Sequence, residues 1–222
     1  MKQPKNKDNK GFSLIEVMIA MSITIVLMGL VSTLLSAALG TRRMESQRTD
    51  ALTSAQAALN VISREISNSG FGIKYSANGK ASNGLVSADS NNSKIHFNSN
   101  IVNSNTQFCD RGEDVTFYYD ASIESIVRHE RYSTANPLNC SSLTTETSIV
   151  VNRISDVKFI YWDYVGSNST PVQKTVPTAN TGRVTITVTV ELEPVNGQPS
   201  NQKVTFSSDV TLRNASYMLN QY

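Results

Sequence analysis

The chain predicts an α+β fold in which one long N-terminal α-helix, membrane-spanning at first and then amphipathic, packs on an antiparallel β-sheet domain. Three observations carry this expectation. From Val17 to Leu39 no residue is charged. After that run Leu52, Ala55, Leu59, Ile62 and Ile66 recur at alternating spacings of three and four, the stripe of one helix face. Beyond Gly70, apolar residues instead alternate with Ser and Thr, the period of half-buried strands.

The uncharged run comes first. As a helix, Val17 to Gly40 spans roughly 36 Å at about 1.5 Å per residue, enough to cross a hydrocarbon core of about 30 Å. It is longer than the h-region of an ordinary secretory signal, and no A-x-A site succeeds it. Lys2, Lys5, Lys7 and Lys10 precede it against one acid, Asp8, while the far flank mixes Arg42, Arg43 and Arg48 with Glu45 and Asp50. The positive-inside rule therefore puts the N-terminus in the cytoplasm and the rest outside. Hydropathy alone fits a plain signal anchor holding a periplasmic domain equally well.

The helix continues past the bilayer, from Phe12 to roughly Ser69, about 85 Å at 1.5 Å per residue. Asn68-Ser69-Gly70 ends it, with Gly70 suited to a left-handed cap. Its stripe is short and rich in alanine, which favours packing against its own globular domain over a free coiled coil. Gly29 and Gly40 are candidate soft points.

Residues 70–222 read as the sheet domain. Val115, Phe117 and Tyr119 alternate before Asp120-Ala121-Ser122, and Ile123 and Ile126-Val127 resume, which predicts a hairpin. Ile149–Val151 and Val157–Trp162 are further strands. Val184, Ile186, Val188, Val190 and Leu192 alternate with polar residues, Glu193 to Ser200 turns the chain, and Val204, Phe206, Val210 and Leu212 return it. That is a half-buried antiparallel hairpin. The polar stretches Ser76–Asn92 and Gly166–Thr181 read as surface loops.

Cys109 and Cys140 both lie in the exported part, where an even pair points to a disulfide. A chain-entropy estimate for such a loop is roughly 3.5–4 kcal/mol. The bridge would pin the loop Arg131–Asn139 to the start of the hairpin. His96 and His129 stand apart and neither cysteine has a neighbour of ligand type, so no metal and no cofactor is expected. Asp110, Glu113 and Asp114 form an acidic cluster open to a cation or, more simply, to solvent. Arg111, Arg128 and Arg131 sit among acids and read as a solvated face. With no G-x-S-x-G, Walker loop, H-E-x-x-H or EF-hand spacing, the chain reads as no enzyme.

The most specific signal stands at the mouth of the apolar run. Lys10-Gly11-Phe12-Ser13-Leu14-Ile15-Glu16 sets a glycine and then a lone carboxylate at the start of a membrane helix, where an acid is costly. The stretch KGFSLIEVMIA resembles the class III signal of type IV pilins and type II secretion pseudopilins. The resemblance implies a leader of residues 1–11, cleavage by prepilin peptidase between Gly11 and Phe12, and methylation of the new Phe12 amine. A glycine suits a peptidase that reads extended backbone at a membrane face, because it carries no Cβ. Glu16 would then meet the Phe12 amine of a neighbouring subunit, each offsetting the other's desolvation. Residues 12–40 would form the membrane and filament-core helix, 41–69 its amphipathic continuation, and 70–222 a periplasmic domain.

Removing the leader changes the charge. The chain holds 20 Lys+Arg and 18 Asp+Glu. Without the four lysines and one aspartate of the leader, 16 and 17 remain, a net −1. The basic pI near 8.5 thus belongs largely to the leader and carries no sign of nucleic-acid binding.

Three distal stretches narrow the resemblance. Arg64–Gly72, the run Asp114–Asp120 with Asn136–Cys140 after it, and Val210-Thr211-Leu212-Arg213-Asn214 are similar to PilW-type minor pilins. That similarity implies a minor subunit that primes pilus assembly near the tip, alongside other minor and major pilins and the inner-membrane assembly platform. It also implies single-pass residence in the inner membrane before incorporation into a surface pilus. The J-type minor pseudopilins of type II secretion share its size and helix and stay open, as does a signal-anchored periplasmic enzyme or binding protein.

Overall fold

A computed structural model describes residues 11–73, 82–102, 108–136, 140–165, 170–192, 194 and 202–216. Among the described residues one α-helix, α1 (Leu14–Ser67), precedes eight strands: β1 (Lys94–Asn98), β2 (Asp114–Asp120), β3 (Ser125–Asn136), β4 (Ser141–Asn152), β5 (Asp156–Asp163), β6 (Val172–Lys174), β7 (Thr181–Glu191) and β8 (Lys203–Thr211). The architecture is the predicted α+β one, a long apolar N-terminal helix with antiparallel sheets. The chain divides into two compact units, the second beginning at Gln47.

The first unit is the apolar part of α1, long and apolar enough to cross a membrane. From Leu14 to Leu39 its large apolar side chains are exposed. Its hydroxyls are satisfied inside the helix: Ser22 donates to the Met18 carbonyl at 2.9 Å, Thr24 to Ala20 at 2.7 Å and Thr33 to Leu30 at 2.8 Å. A bilayer demands this, since it offers no water to an unpaired polar group. The helix runs unbroken through Gly29 and Gly40.

The second unit contains the end of α1 and two four-stranded sheets, ordered β1-β2-β3-β4 and β6-β5-β7-β8. Two sheets stand where the sequence predicts one. Both predicted hairpins are present, β2–β3 with Phe117 opposite Arg128 and β7–β8 with Val188 opposite Phe206. Strand β1 is absent from the sequence-based expectations, although Ile95 and Phe97 alternate with polar residues at strand period and point into the core. It is held by pairing to β2, Phe97 opposite Val115, and by stacking of Phe97 on Phe117 at 6.2 Å between ring centres.

One core joins these layers: Ala55, Ala58, Ile62 and Ile66 of α1, Ile95, Phe97 and Phe117 of the first sheet, and Phe159, Tyr161, Ile186 and Val188 of the second. Each large aliphatic or aromatic side chain among them contributes about 1.5–3 kcal/mol by its burial. The helix face differs slightly from the predicted stripe. Ala51 and Ala58 are buried, while Leu52 stays 44% exposed. Leu52 shares its edge of the helix with Leu59, and the sheet cover reaches only the latter. The alanines let the helix backbone approach closely, which a leucine at those positions would prevent.

The helix ends at Ser67, and Gly70 takes a φ of +78°, as its glycine predicts. The helix exit ties distant segments together. The Gly70 amide donates to Asn98 O at 2.9 Å, and the Asn98 amide to Gly84 O at 2.8 Å. Ser69 Oγ donates to Asn83 O at 2.6 Å, and Asn214 Nδ2 donates to Ser69 O at 3.0 Å. Asn83 Nδ2 also donates to the carbonyls of Thr178 and Thr181. The stretch read as a loop from Ser76 to Asn92 thus includes a buried segment at Asn83 and Gly84. Likewise Gly166–Thr181 includes β6 and the buried Thr181, whose hydroxyl donates to Asp163 at 2.7 Å. Polar residues look like surface in a sequence even when a hydrogen-bond network buries them.

Candidate functional site

The N-terminal motif is built by the first turn of α1. The Ser13 carbonyl accepts the Val17 amide at 3.2 Å, which makes Ser13 the N-cap. Glu16 Oε2 accepts the Ser13 amide at 2.9 Å. This is one arm of a capping box, and it sets a carboxylate at the positive end of the helix dipole. The S-x-x-E spacing of Ser13 and Glu16 is the local signal for this cap, and reading Glu16 only as a membrane anomaly misses it. Within one chain, then, Glu16 already has a partner.

Phe12, Glu16, Ala20 and Thr24 recur at intervals of four and line a shallow apolar groove along one helix face, with the carboxylate at its head. Phe12 is 90% exposed. A Cβ on Gly11 would meet nothing within 4 Å, so no packing among the described residues requires glycine there.

Cys109 and Cys140 are joined by a disulfide with 5.6 Å between their Cα atoms. The segment expected as a loop, Arg131–Asn139, is strand as far as Asn136, and residues 137–139 lie outside the described ones. The bridge therefore fastens the turn between β3 and β4 to the chain entering β2. Ser133 N donating to Cys109 O at 2.7 Å adds a second tie at the same place.

The acidic cluster does not converge on a cation. Glu113 accepts the amides of Val102 and Asp110 at 3.1 Å each. Asp114 instead faces His96 Nε2 at 2.7 Å and Arg131 Nε at 2.8 Å. Among the described residues no group of three His, Cys, Asp or Glu is placed to hold a metal ion. Arg128 is also not on a solvated face. It donates to Glu65 of α1 at 2.9 Å and to Glu130 at 2.7 Å and joins the helix to the first sheet. Arg111 is exposed, against Glu146 at 2.9 Å and over the Tyr132 ring.

Sequence reasoning leaves His96 isolated, but the β1–β2 register surrounds it. Asp114 lies on Nε2, and Asp89 Oδ2 lies 3.1 Å from Nδ1. Lys94 pairs with Asp89, and Arg131 with Asp114. These residues rim a cleft of about 480 Å³ on the outer face of the first sheet, whose floor holds Thr116, Tyr118 and His129. No local pattern predicts it, because its parts come from three strands and a 3₁₀ turn (Ser87–Asp89).

Burial pushes the Asp114 carboxyl up, but the hydrogen bonds from His96 and Arg131 outweigh that and hold it below the usual carboxylate range. A carboxylate whose folded pKa is depressed contributes stability above its unfolded pKa, about 3.9, and loses it as pH falls through the lower folded value. Melting temperature should therefore fall as pH drops below about 4, and Asp114→Asn should lower it at pH 7 while flattening that acid limb. Thermal melts of both proteins from pH 7 to pH 2 check this, and an unchanged acid limb in the variant would count against it.

The fold and the motif together define a chain with an α+β domain fastened by a disulfide behind an apolar helix of membrane-spanning length. Residues 6–32 match the family model of the prokaryotic N-terminal methylation motif, which supports a type IV pilin-like or pseudopilin precursor. The motif implies processing by prepilin peptidase and a pilin assembly context. No curated protein and no solved structure matches the chain.

Proposed function

We propose that the chain is a minor pilin of a type IV pilus. Prepilin peptidase would cleave it between Gly11 and Phe12, the Phe12 amine would be methylated, and the mature subunit would help prime assembly near the tip. The observation that supports this most is the methylation motif with Glu16 at the mouth of an uncharged helix whose apolar side chains are all exposed. In this reading the groove lined by Phe12, Glu16 and Ala20 meets the corresponding helices of other minor and major pilins, first in the inner membrane at the assembly platform and then in the filament. The exported domain acts by contact with other subunits and carries out no reaction.

Deletion of the gene separates this reading from its neighbour. A minor pilin predicts loss of surface pili and of twitching with exoprotein secretion intact. The reverse pattern would assign the chain to type II secretion as a minor pseudopilin. Normal pili and normal secretion would refute both.

A further inference from the structure

We propose that the cleft on the outer face of the first sheet is a binding site for a neutral saccharide. Its volume of about 480 Å³ lies within the range of small-molecule sites, roughly 300–1,000 Å³. Its formal charges are paired with one another, Lys94 with Asp89 and Arg131 with Asp114, and Asp114 also meets His96 Nε2 at 2.7 Å. A charged ligand would compete with these pairs for groups that already have a partner, whereas a neutral one leaves them in place.

The groups that remain are polar side chains outside these pairs. Among the described residues the side chains of Thr116, Tyr118 and His129 engage no hydrogen bond or ion pair. Register puts them together: Thr116 lies opposite His96 on one side and His129 on the other, and Tyr118 stands two residues along the same face. A hydroxyl, a phenol and an imidazole each donate and accept, as sugar hydroxyls do. The half-exposed Tyr118 ring offers the flat apolar surface on which the C–H face of a pyranose packs. Paired charges, polar side chains free to hydrogen-bond and the tyrosine surface together select a ligand with many hydroxyls and no charge.

The test is calorimetric titration of the purified full-length chain in a detergent without a sugar headgroup. The probes are cellotriose and tri-N-acetylchitotriose, with trigalacturonate and the glucosamine trimer as anionic and cationic counterparts. Saturable binding of a neutral trisaccharide is expected, weakened about ten-fold in Tyr118→Ala and in His129→Ala, with the charged trimers binding more weakly. Tyr118→Phe and His129→Asn keep the shape of the site and should each lose several-fold, and equal melting temperatures exclude unfolding as the cause. Failure of both neutral probes, tighter binding of a charged one, or affinity indifferent to all four substitutions would overturn the proposal.

Discussion

Gly84→Ala is expected to lower the melting temperature by about 10 °C or more. Gly84 has a φ of +73°, and a Cβ there would lie 2.2 Å from the Gly70 nitrogen and 2.3 Å from the Asn98 oxygen. Both are backbone atoms, so relief requires moving the helix exit away from β1. The left-handed conformation alone costs about 1–2 kcal/mol for a residue with a Cβ. The steric term brings the total to about 4 kcal/mol or more, against a typical stability of about 5–15 kcal/mol. At about 2–4 °C per kcal/mol for a chain of this size, the shift is readily measured. Gly112→Ala is the matched control. Its φ is +81° but nothing lies within 4 Å of the added Cβ, so only the conformational cost applies. Equal shifts in the two variants would show that the close approach of Gly84 to Gly70 does not hold the domain together.

Glu16→Ala should leave cleavage after Gly11 intact while removing the subunit from sheared pili, a loss of about ten-fold or more on an immunoblot of the filament fraction. The structure adds a competing account, because Glu16 also caps its own helix through the Ser13 amide. Losing a cap costs only about 0.5–2 kcal/mol at one helix end and leaves a long helix standing. Glu16→Gln separates the two: its amide oxygen can still accept from Ser13, but it carries no charge to offer a neighbour's amine. If the glutamine variant is incorporated like the wild type, the intersubunit charge pair is wrong and the cap suffices. If both variants are processed but excluded, the charge is what assembly reads. Gly11→Val should instead accumulate the longer precursor in the membrane, with no effect on folding of the domain, since the chain itself makes no demand at that position.

The elements that sequence pattern predicts share a property: their information is local. The uncharged run, the helix exit at Gly70 and the alternations of β2, β5, β7 and β8 are each readable within a short stretch, because the environment of a helix or strand face repeats with its own period. The failures are equally uniform. The β3 extension to Asn136 and the short β6 carry weak alternation and are held by pairing with neighbouring strands, while β1 alternates over only five residues and is secured by its pairing with β2. The buried polar segment at Asn83 looks like a loop until Thr178 and Thr181 are placed beside it. Arg128 looks solvated until Glu65 of α1 is laid across it.

By itself, then, the sequence carries the methylation motif, which supports a type IV pilin-like or pseudopilin precursor. A glycine, a phenylalanine and a glutamate before an uncharged helix are contiguous, and a peptidase and a bilayer both read contiguous chain. It also determined that the part beyond the helix is a sheet domain with one cysteine pair. Only the tertiary structure decided that the domain has two sheets on one helix face. The same holds for the knot of Gly70, Gly84 and Asn98 at the helix exit, and for Asp89, His96, Asp114 and Arg131 meeting around one cleft. Those features depend on strand register, and register is settled by the packing of whole faces, which no short window of sequence contains.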